Sequence, residues 1–527
     1  MIEFDPTLVH DWLSRSGRRF PQKEALIFRN ERWTYEMLDN YTRHLAFKLV
    51  DIGVKRHDKV VVLLNTSSET VISIYGILKA GATFVVLEAS LKHSKLSYIL
   101  NNCSATVLIT HVQKVAVVQE ALKNVAHQCQ VICVGSKELI PALDSQRSLS
   151  WDDIFSDVDE PEKKVDTKLP RILDIDLAAL IYTSGSTGEP KGVMTTHFNM
   201  ISAARSIIQY VDNSVDDRIF NVLPLSFDYG LYQVIMAFMF GGTVILESTF
   251  LYIHRILNII EKEKATGFPV VPTIVAMLVQ MQDLSKYNFS SLKYMTNTAA
   301  ALPVEHIRKL RKIFPHVKII SMYGLTECKR VSYLEPAMLD QIPSSVGKAM
   351  RCCETFIVDE NGKEVDPEKS GELRIRGSNV MQGYWNDPDL TRKIFIEGCY
   401  PGERVLCSGD YFRKDQNGYL YFVGRKDDII KTRGERVSPR EIENTLCNME
   451  GIAEAAIIGV RDDILGQALK AFIVLQKGTI LHEKEIKNYC FTNLETFAIP
   501  HQIVILKGLP KTPNGKIDKK KLEAHNK

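Results

Sequence analysis

Three short runs near the start of the chain limit its architecture more than anything else in it: KVVVLLN (Lys59–Asn65), TFVVLEA (Thr83–Ala89) and ATVLIT (Ala105–Thr110). Each is apolar over a strand's length without alternating. A strand of that kind has both faces covered, as in a parallel sheet with crossover helices on either side. The alternation of β and α resumes with TVILES (Thr243–Ser248), followed by Ile253, Ile256, Leu257 and Ile260 at helical spacing. HVKIISM (His316–Met322) reads as another buried strand leading into a loop. The class expected is α/β, with a large N-terminal domain of layered α/β subdomains. DVDEPEKKVDTKLPR (Asp157–Arg171), charged and punctuated by proline, reads as a linker between them.

The texture changes after residue 424. GRKDDIIKTRGERVSPREIE (Gly424–Glu443) is densely charged, and Ser438, Pro439 and Glu441 in it read as N-cap, first helical residue and reciprocal capping acid. AEAAIIGV, KAFIVL and a polar helix follow, enough for a compact unit of about a hundred residues. The expected division is residues 1–424 and a small α+β domain, 425–527.

With 66 basic and 63 acidic side chains the net charge is +3, which makes no general case for a nucleic-acid or membrane surface. The start, MIEFDPTLVHDWL, lacks the layout of a signal peptide. The apolar run Leu231–Leu246 is broken by Gln233 and a Gly-Gly pair and falls short of the ~20 residues that span a bilayer. Ten cysteines, with Cys352 and Cys353 adjacent, suggest neither a zinc site nor a disulfide framework. A cytoplasmic protein with reduced thiols is expected.

One segment asks for a function. In YTSGSTGEPKG (Tyr182–Gly192) the apolar LAALI runs into a loop with almost no side-chain bulk. The exposed backbone N–H groups of such a loop can hold phosphate oxygens, although the same composition suits a solvated hairpin or turn. Neither GxxxxGK[ST] nor GxGxxG fits its spacing.

The longer string LAALIYTSGSTGEPKGV resembles the phosphate loop of the adenylate-forming superfamily, which contains acyl- and aryl-CoA ligases, nonribosomal-peptide adenylation domains and luciferases. SMYGLTE (Ser321–Glu327), CSGDYFRKDQNGYLYFVGRKDDIIKTRGERVSPREIE (Cys407–Glu443) and PKTPNGKIDKK (Pro510–Lys520) resemble its other core motifs, in order. WTYEML (Trp33–Leu38) and GILKAGATFVVLE (Gly76–Glu88) resemble weaker ones, so the likeness covers essentially the whole chain.

The resemblance implies that a carboxylic acid is activated by ATP, with Mg²⁺, to an acyl-adenylate and then passed to a thiol. Thr183, Ser184, Gly185, Ser186, Thr187, Gly188 and Lys191 would hold the β- and γ-phosphates. Tyr323 would stack on adenine, Thr326 would bond the α-phosphate, and Glu327, a hard oxygen ligand, would bind the metal. Asp410 would accept from the ribose hydroxyls, with Arg425 close to the same sugar. Lys516 would bridge carboxylate and α-phosphate. The small domain is expected to be mobile about Asp427, exchanging Lys516 for a thiol channel around Gly434 and Arg436.

The acid is less legible. LPLSFDYGLYQ (Leu223–Gln233) lacks a histidine that many fatty-acyl and aryl ligases carry there, and its Phe227-Asp228 resembles amino-acid-activating domains. Asp228 either binds a substrate amine or pairs internally with Arg330, since an unpaired buried carboxylate is costly. The internal pair is favoured slightly, with a fatty or other small organic acid as substrate. Arg330 contacting a second carboxylate is a third possibility. Tyr229, Tyr232, Met322 and the loop with Asn297, Thr298 and Ala299 would shape the rest of the wall, unless they are simple core packing. No carrier segment follows Lys516, so the acceptor is CoA or the phosphopantetheine of a separate acyl or peptidyl carrier protein.

Overall fold

A computed structural model of the 527-residue chain describes residues 4–136, 148–156, 158, 168–184, 189–281, 283–298, 302–426, 430–432, 435–462, 466–494, 498–512 and 517–524. The three apolar runs form neighbouring parallel strands, with Val60 paired to Phe84 on one side and Val107 on the other. Their sheet has eight strands, ordered Gly383–Tyr384, Pro190–Thr196, Leu177–Ser184, Thr83–Val86, Lys59–Leu63, Val107–His111, Gln130–Val134, Ser148–Ser150. Alternate residues of each run serve different cores. Val61, Leu63 and Val85 pack with Leu96, Ile99 and Leu100, while Val60, Val62 and Phe84 join the main core. Both faces are covered, which is why the runs do not alternate.

The second sheet has nine strands, ordered Lys348–Ala349, Ser332–Tyr333, Lys318–Tyr323, Tyr294–Asn297, Gly267–Val270, Arg218–Asn221, Thr243–Leu246, Glu24–Phe28, Glu31–Thr34. The helical spacing after Thr243 becomes the helix Ile253–Lys262, which buries Ile256, Leu257 and Ile260. A third sheet joins Cys353–Val358, Ser370–Gly377, Arg404–Lys414 and Phe395–Glu397, with Leu420–Arg425 also paired to Arg404–Lys414.

The remainder builds a fourth sheet from Ile430–Thr432, Glu435–Val437, Ile452–Asp462, Gly466–Leu475 and Gln502–Ile505. It has its own core, in which Ile442, Leu446, Ile457, Leu469 and Ile486 meet. The helix Pro439–Cys447 starts where expected, with Ser438 as N-cap, but the capping box does not form. The Ser438 hydroxyl instead donates to the carbonyl of Val423, so a tertiary contact takes the place of a local one.

The N-terminal helix Val9–Arg19 is tied to the eight-stranded sheet by a histidine. Thr196 and Asn199 form a capping box at the start of the helix His197–Val211. The ring Nδ1 of buried His197 accepts from the Val9 N–H at 3.1 Å. Burial pushes the His197 pKa down to about 4, so the ring is neutral and free to accept. Its unfolded value is about 6.5. The unfolded chain therefore takes up the proton first as pH falls, and stability is lost from pH ~6.5 toward 4, by up to about 3 kcal/mol. Denaturant unfolding at pH 7 and pH 4.5 should show wild type losing more stability in acid than His197→Asn, whose amide oxygen can still accept from Val9. Equal losses would contradict the assignment.

Candidate active site

The glycine-rich segment is the tip of a hairpin. Leu177–Ser184 runs antiparallel to Pro190–Thr196, with Thr183 opposite Lys191 and Tyr182 opposite Gly192. Gly185, Ser186, Thr187 and Gly188 lie outside the described residues, as does the side chain of Ser184. At the hairpin's base the Trp385 N–H donates to the Gly192 carbonyl at 2.7 Å. A Cβ at Gly192 would come within 3.2 Å of the Tyr182 ring and 3.3 Å of Trp385 Cβ, so glycine permits this approach. The ammonium of Lys191 lies 5.9 Å from the centre of the Tyr384 ring.

Thr326 and Glu327 sit in a turn that follows the strand Lys318–Tyr323 and folds back on itself, with the Val331 N–H donating to the Tyr323 carbonyl at 2.9 Å. A Cβ at Gly324 would fall 2.0 Å from the Lys329 carbonyl oxygen, closer than any side chain allows. Lys329, at φ 65°, turns its side chain inward to 1% exposure. Its ammonium donates to the Thr326 carbonyl at 2.8 Å and to Thr195 Oγ1 at 3.0 Å. Desolvation brings its pKa down to about 8 against the opposing pull of Asp228 and Glu327.

Glu327 Oε1 accepts from the Tyr384 hydroxyl at 2.7 Å, and Tyr384 is placed there by pairing with Val193 of the hairpin. Burial and the Glu327 charge together push the Tyr384 hydroxyl pKa up, so it remains a donor. Among the described residues there is no group of three or more His, Cys, Asp or Glu side chains that would hold a metal. A half-buried carboxylate with one oxygen engaged suits Mg²⁺, which takes one or two carboxylates and completes its shell from phosphates and water.

Tyr323 donates to Asp410 Oδ2 at 2.6 Å, and Asp410 is buried at 4% exposure. Asp410 pairs across the ladder with Arg425, whose Nε lies 3.6 Å from Oδ1. The Tyr323 ring meets Phe412 edge-on at 4.7 Å. Tyr323, Asp410 and Arg425, far apart in the chain, thus share one place.

Asp228 and Arg330 also meet. Arg330 Nη1 lies 3.6 Å from Asp228 Oδ2, with both side chains buried. That is an ion pair without a hydrogen bond. The same Nη1 donates to the Lys329 carbonyl at 2.7 Å, and the guanidinium sits 4.6 Å from the centre of the Tyr229 ring. Tyr229 is fully committed to packing, its hydroxyl 2.6 Å from the Thr296 carbonyl. Met322 Sδ accepts from the Tyr210 hydroxyl at 2.8 Å. Tyr232, Asn297 and Thr298 are buried nearby in sequence and sheet. Ala299, Asp427, Gly434 and Lys516 lie outside the described residues, and so does the side chain of Arg436.

Sequence reasoning missed Lys329 and Tyr384. Lys329 stands next to Arg330 and two residues after Glu327, both already singled out, and that position was the available signal. Nothing local marks Tyr384, since only strand pairing brings it to Glu327.

Residues 13–385 match the AMP-binding enzyme family and residues 441–516 match the AMP-binding enzyme C-terminal domain. The chain belongs to that family of adenylate-forming enzymes. The long-chain-fatty-acid–CoA ligase of Bacillus subtilis (strain 168) is 31% identical over 97% of this chain and 93% of its own length. Tyrocidine synthase 1 of Brevibacillus parabrevis is 27% identical over 98% of this chain but 44% of its own. The anthranilate CoA ligase AuaEII, solved in complex with anthranoyl-AMP, is 27% identical with a TM-score of 0.88, covering 99% of this chain and 97% of that one.

The Asp228–Arg330 pair has a testable energetic signature. Arg330→Met should cost about 3–5 kcal/mol, because it leaves Asp228 buried without its cation. Asp228→Asn combined with Arg330→Met should recover most of that loss in urea unfolding. Additive losses would mean the two do not interact.

Proposed function

We propose that the chain activates a small carboxylic acid with ATP and then hands the acyl group to a thiol. The carboxylate oxygen bonds the α-phosphorus as the bond to pyrophosphate breaks. The thiol then attacks the carbonyl carbon and AMP leaves. The observation that supports this most is the convergence at one turn: Tyr323 bonded to Asp410 at one end and Glu327 bonded to Tyr384 at the other, beside the hairpin base.

Each chain residue has a limited task. The hairpin from Thr183 to Gly192, with Lys191, holds the β- and γ-phosphates. Thr326 bonds the α-phosphate. The Tyr323 ring receives adenine while its hydroxyl keeps Asp410 oriented, and Asp410 and Arg425 meet the ribose. Glu327 would hold Mg²⁺, which when bound neutralises charge on the departing pyrophosphate. Lys516 bridges the reacting anions in the first step.

The domains divide at residues 424 and 425, with Asp427 as pivot. The last ladder bond before it is Lys426 N–H to the Gly409 carbonyl at 2.8 Å. Turning there would bring Gly434 and Arg436 to the site as a thiol channel. The acceptor is CoA or a carrier protein's phosphopantetheine. Among the described residues no helix is long and apolar enough to cross a membrane.

A second reading is amino-acid activation, with Asp228 holding the substrate amine. Among the described residues the Asp228 carboxylate accepts no hydrogen bond, and its cation stays at 3.6 Å, which favours a donor arriving with the substrate.

Pyrophosphate–ATP exchange against fatty, aromatic and amino acids tests the reaction and identifies the acid together. AMP is the expected nucleotide product, and ADP alone would refute the reading. Lys516→Ala should lower adenylate formation by on the order of 10² or more while sparing thiolation of preformed adenylate. Equal losses in both half-reactions would remove Lys516 from its role.

A further inference from the structure

Against Arg330 lies a cavity with room for about one water molecule, whose wall includes Tyr229, Tyr232, Gln233, Met236 and Met322. It adjoins the nucleotide side of the site, since Met322 precedes Tyr323 and Arg330 follows Glu327 by three residues. Its lining is polar in an unusual way. Tyr232 is 1% exposed and Arg330 4%, and among the described residues neither the Tyr232 hydroxyl nor Arg330 Nε has a hydrogen-bond partner. Asn213 Oδ1, in the same lining, is likewise without a partner among the described residues. Buried polar atoms are nearly always bonded to protein or to water, so three orphans on residues around one small cavity call for a polar occupant.

Resting on the adenylation reading above, we infer that the substrate is a compact acid with a second hydrogen-bonding group that bonds Tyr232 and Arg330, and that an unsubstituted alkyl chain is a poor substrate. Size and chemistry agree. A long chain has no room without displacing Met236 or Tyr232, and an alkyl group that filled the cavity would offer these polar atoms no bond. A hydroxyl, amine, carbonyl or second carboxylate supplies one. A site with buried groups waiting for a partner discriminates strongly against the analogue that lacks one. The ion pair in the wall adds to this, because Asp228 and Arg330 together offer both an acceptor and a donor. The chain is 31% identical over 97% of its length to a protein named for long-chain fatty acids, yet this pocket is built against such a chain.

The test is pyrophosphate exchange with acids in matched pairs of equal carbon number, unsubstituted against hydroxy-, keto-, amino- or dicarboxylic, plus a long-chain fatty acid. Calorimetric binding of the same acids is measured beside it. The polar member of the preferred pair should exceed its unsubstituted partner in kcat/KM by about tenfold or more. Tyr232→Phe, which removes only the orphaned hydroxyl and should keep its thermal stability, should narrow that gap at least severalfold. Equal rates within every pair, best turnover with the fatty acid, or an unchanged gap in Tyr232→Phe would overturn the inference. Selective binding of polar acids that Tyr232→Phe weakens, with no exchange for any acid, would leave the pocket assignment standing and refute adenylation. Neither binding nor exchange with any acid would overturn both.

Discussion

The ammonium of Lys329 joins the two large sheets where the chemistry is proposed to occur. One of its hydrogen bonds goes to Thr195, in a strand of the eight-stranded sheet, and the other to the carbonyl of Thr326, just past a strand of the nine-stranded sheet. A charge with 1% exposure is costly to bury, and burial has already lowered its pKa to about 8. That cost is offset only while both oxygens are in place, so the turn carrying Thr326 and Glu327 has one favourable position relative to the hairpin. Gly324 makes the turn tight enough for this, and the inward lysine in turn presents Arg330 to Asp228 on the far side.

The site therefore has two halves with different physical characters. On the proposed nucleotide half, the polar groups are already aimed by partners: the Tyr384 hydroxyl donates to Glu327, and the Tyr323 hydroxyl donates to Asp410. Such preorganisation keeps charged groups from reorganising when substrate charge arrives. On the acid half, the polar groups are brought together but not satisfied. The 3.6 Å pair and the orphaned Tyr232 hydroxyl leave unmade bonds in a place that water scarcely reaches. On the proposed roles, generic recognition of nucleotide and specific recognition of acid divide along that line.

What could be read from the sequence follows from the same division. The uninterrupted apolar runs announced parallel strands because burial on two faces leaves no polar position to conceal the period. The family was legible because its motifs lie in contiguous strings. The Asp228–Arg330 meeting could be argued from charge cost alone, with no knowledge of distance. Lys329 and Tyr384 were not legible, since each acts through a contact fixed by tertiary register: Tyr384 opposite Val193, and Lys329 toward Thr195, 134 positions away. The Ser438 cap failed for the converse reason. A local rule expected its hydroxyl to turn back on its own helix, and a carbonyl from the neighbouring sheet competed successfully.

That displaced cap bears on how the small domain communicates with the nucleotide. Its hydroxyl grips Val423, and two residues on, the guanidinium of Arg440 lies 4.9 Å from the centre of the Phe422 ring. Burial draws the Arg440 pKa down to about 10, against a partly buried aromatic partner. Phe422 in turn faces Tyr323 at 6.3 Å, and the strand that carries it ends at Arg425, the cation beside Asp410. A turn about the proposed pivot must either break the contacts at Val423 and Phe422 or drag that strand with it. In the first case the domain loses those contacts. In the second the proposed ribose site itself deforms. On the proposed roles, both routes couple occupancy of the nucleotide pocket to the position of the small domain.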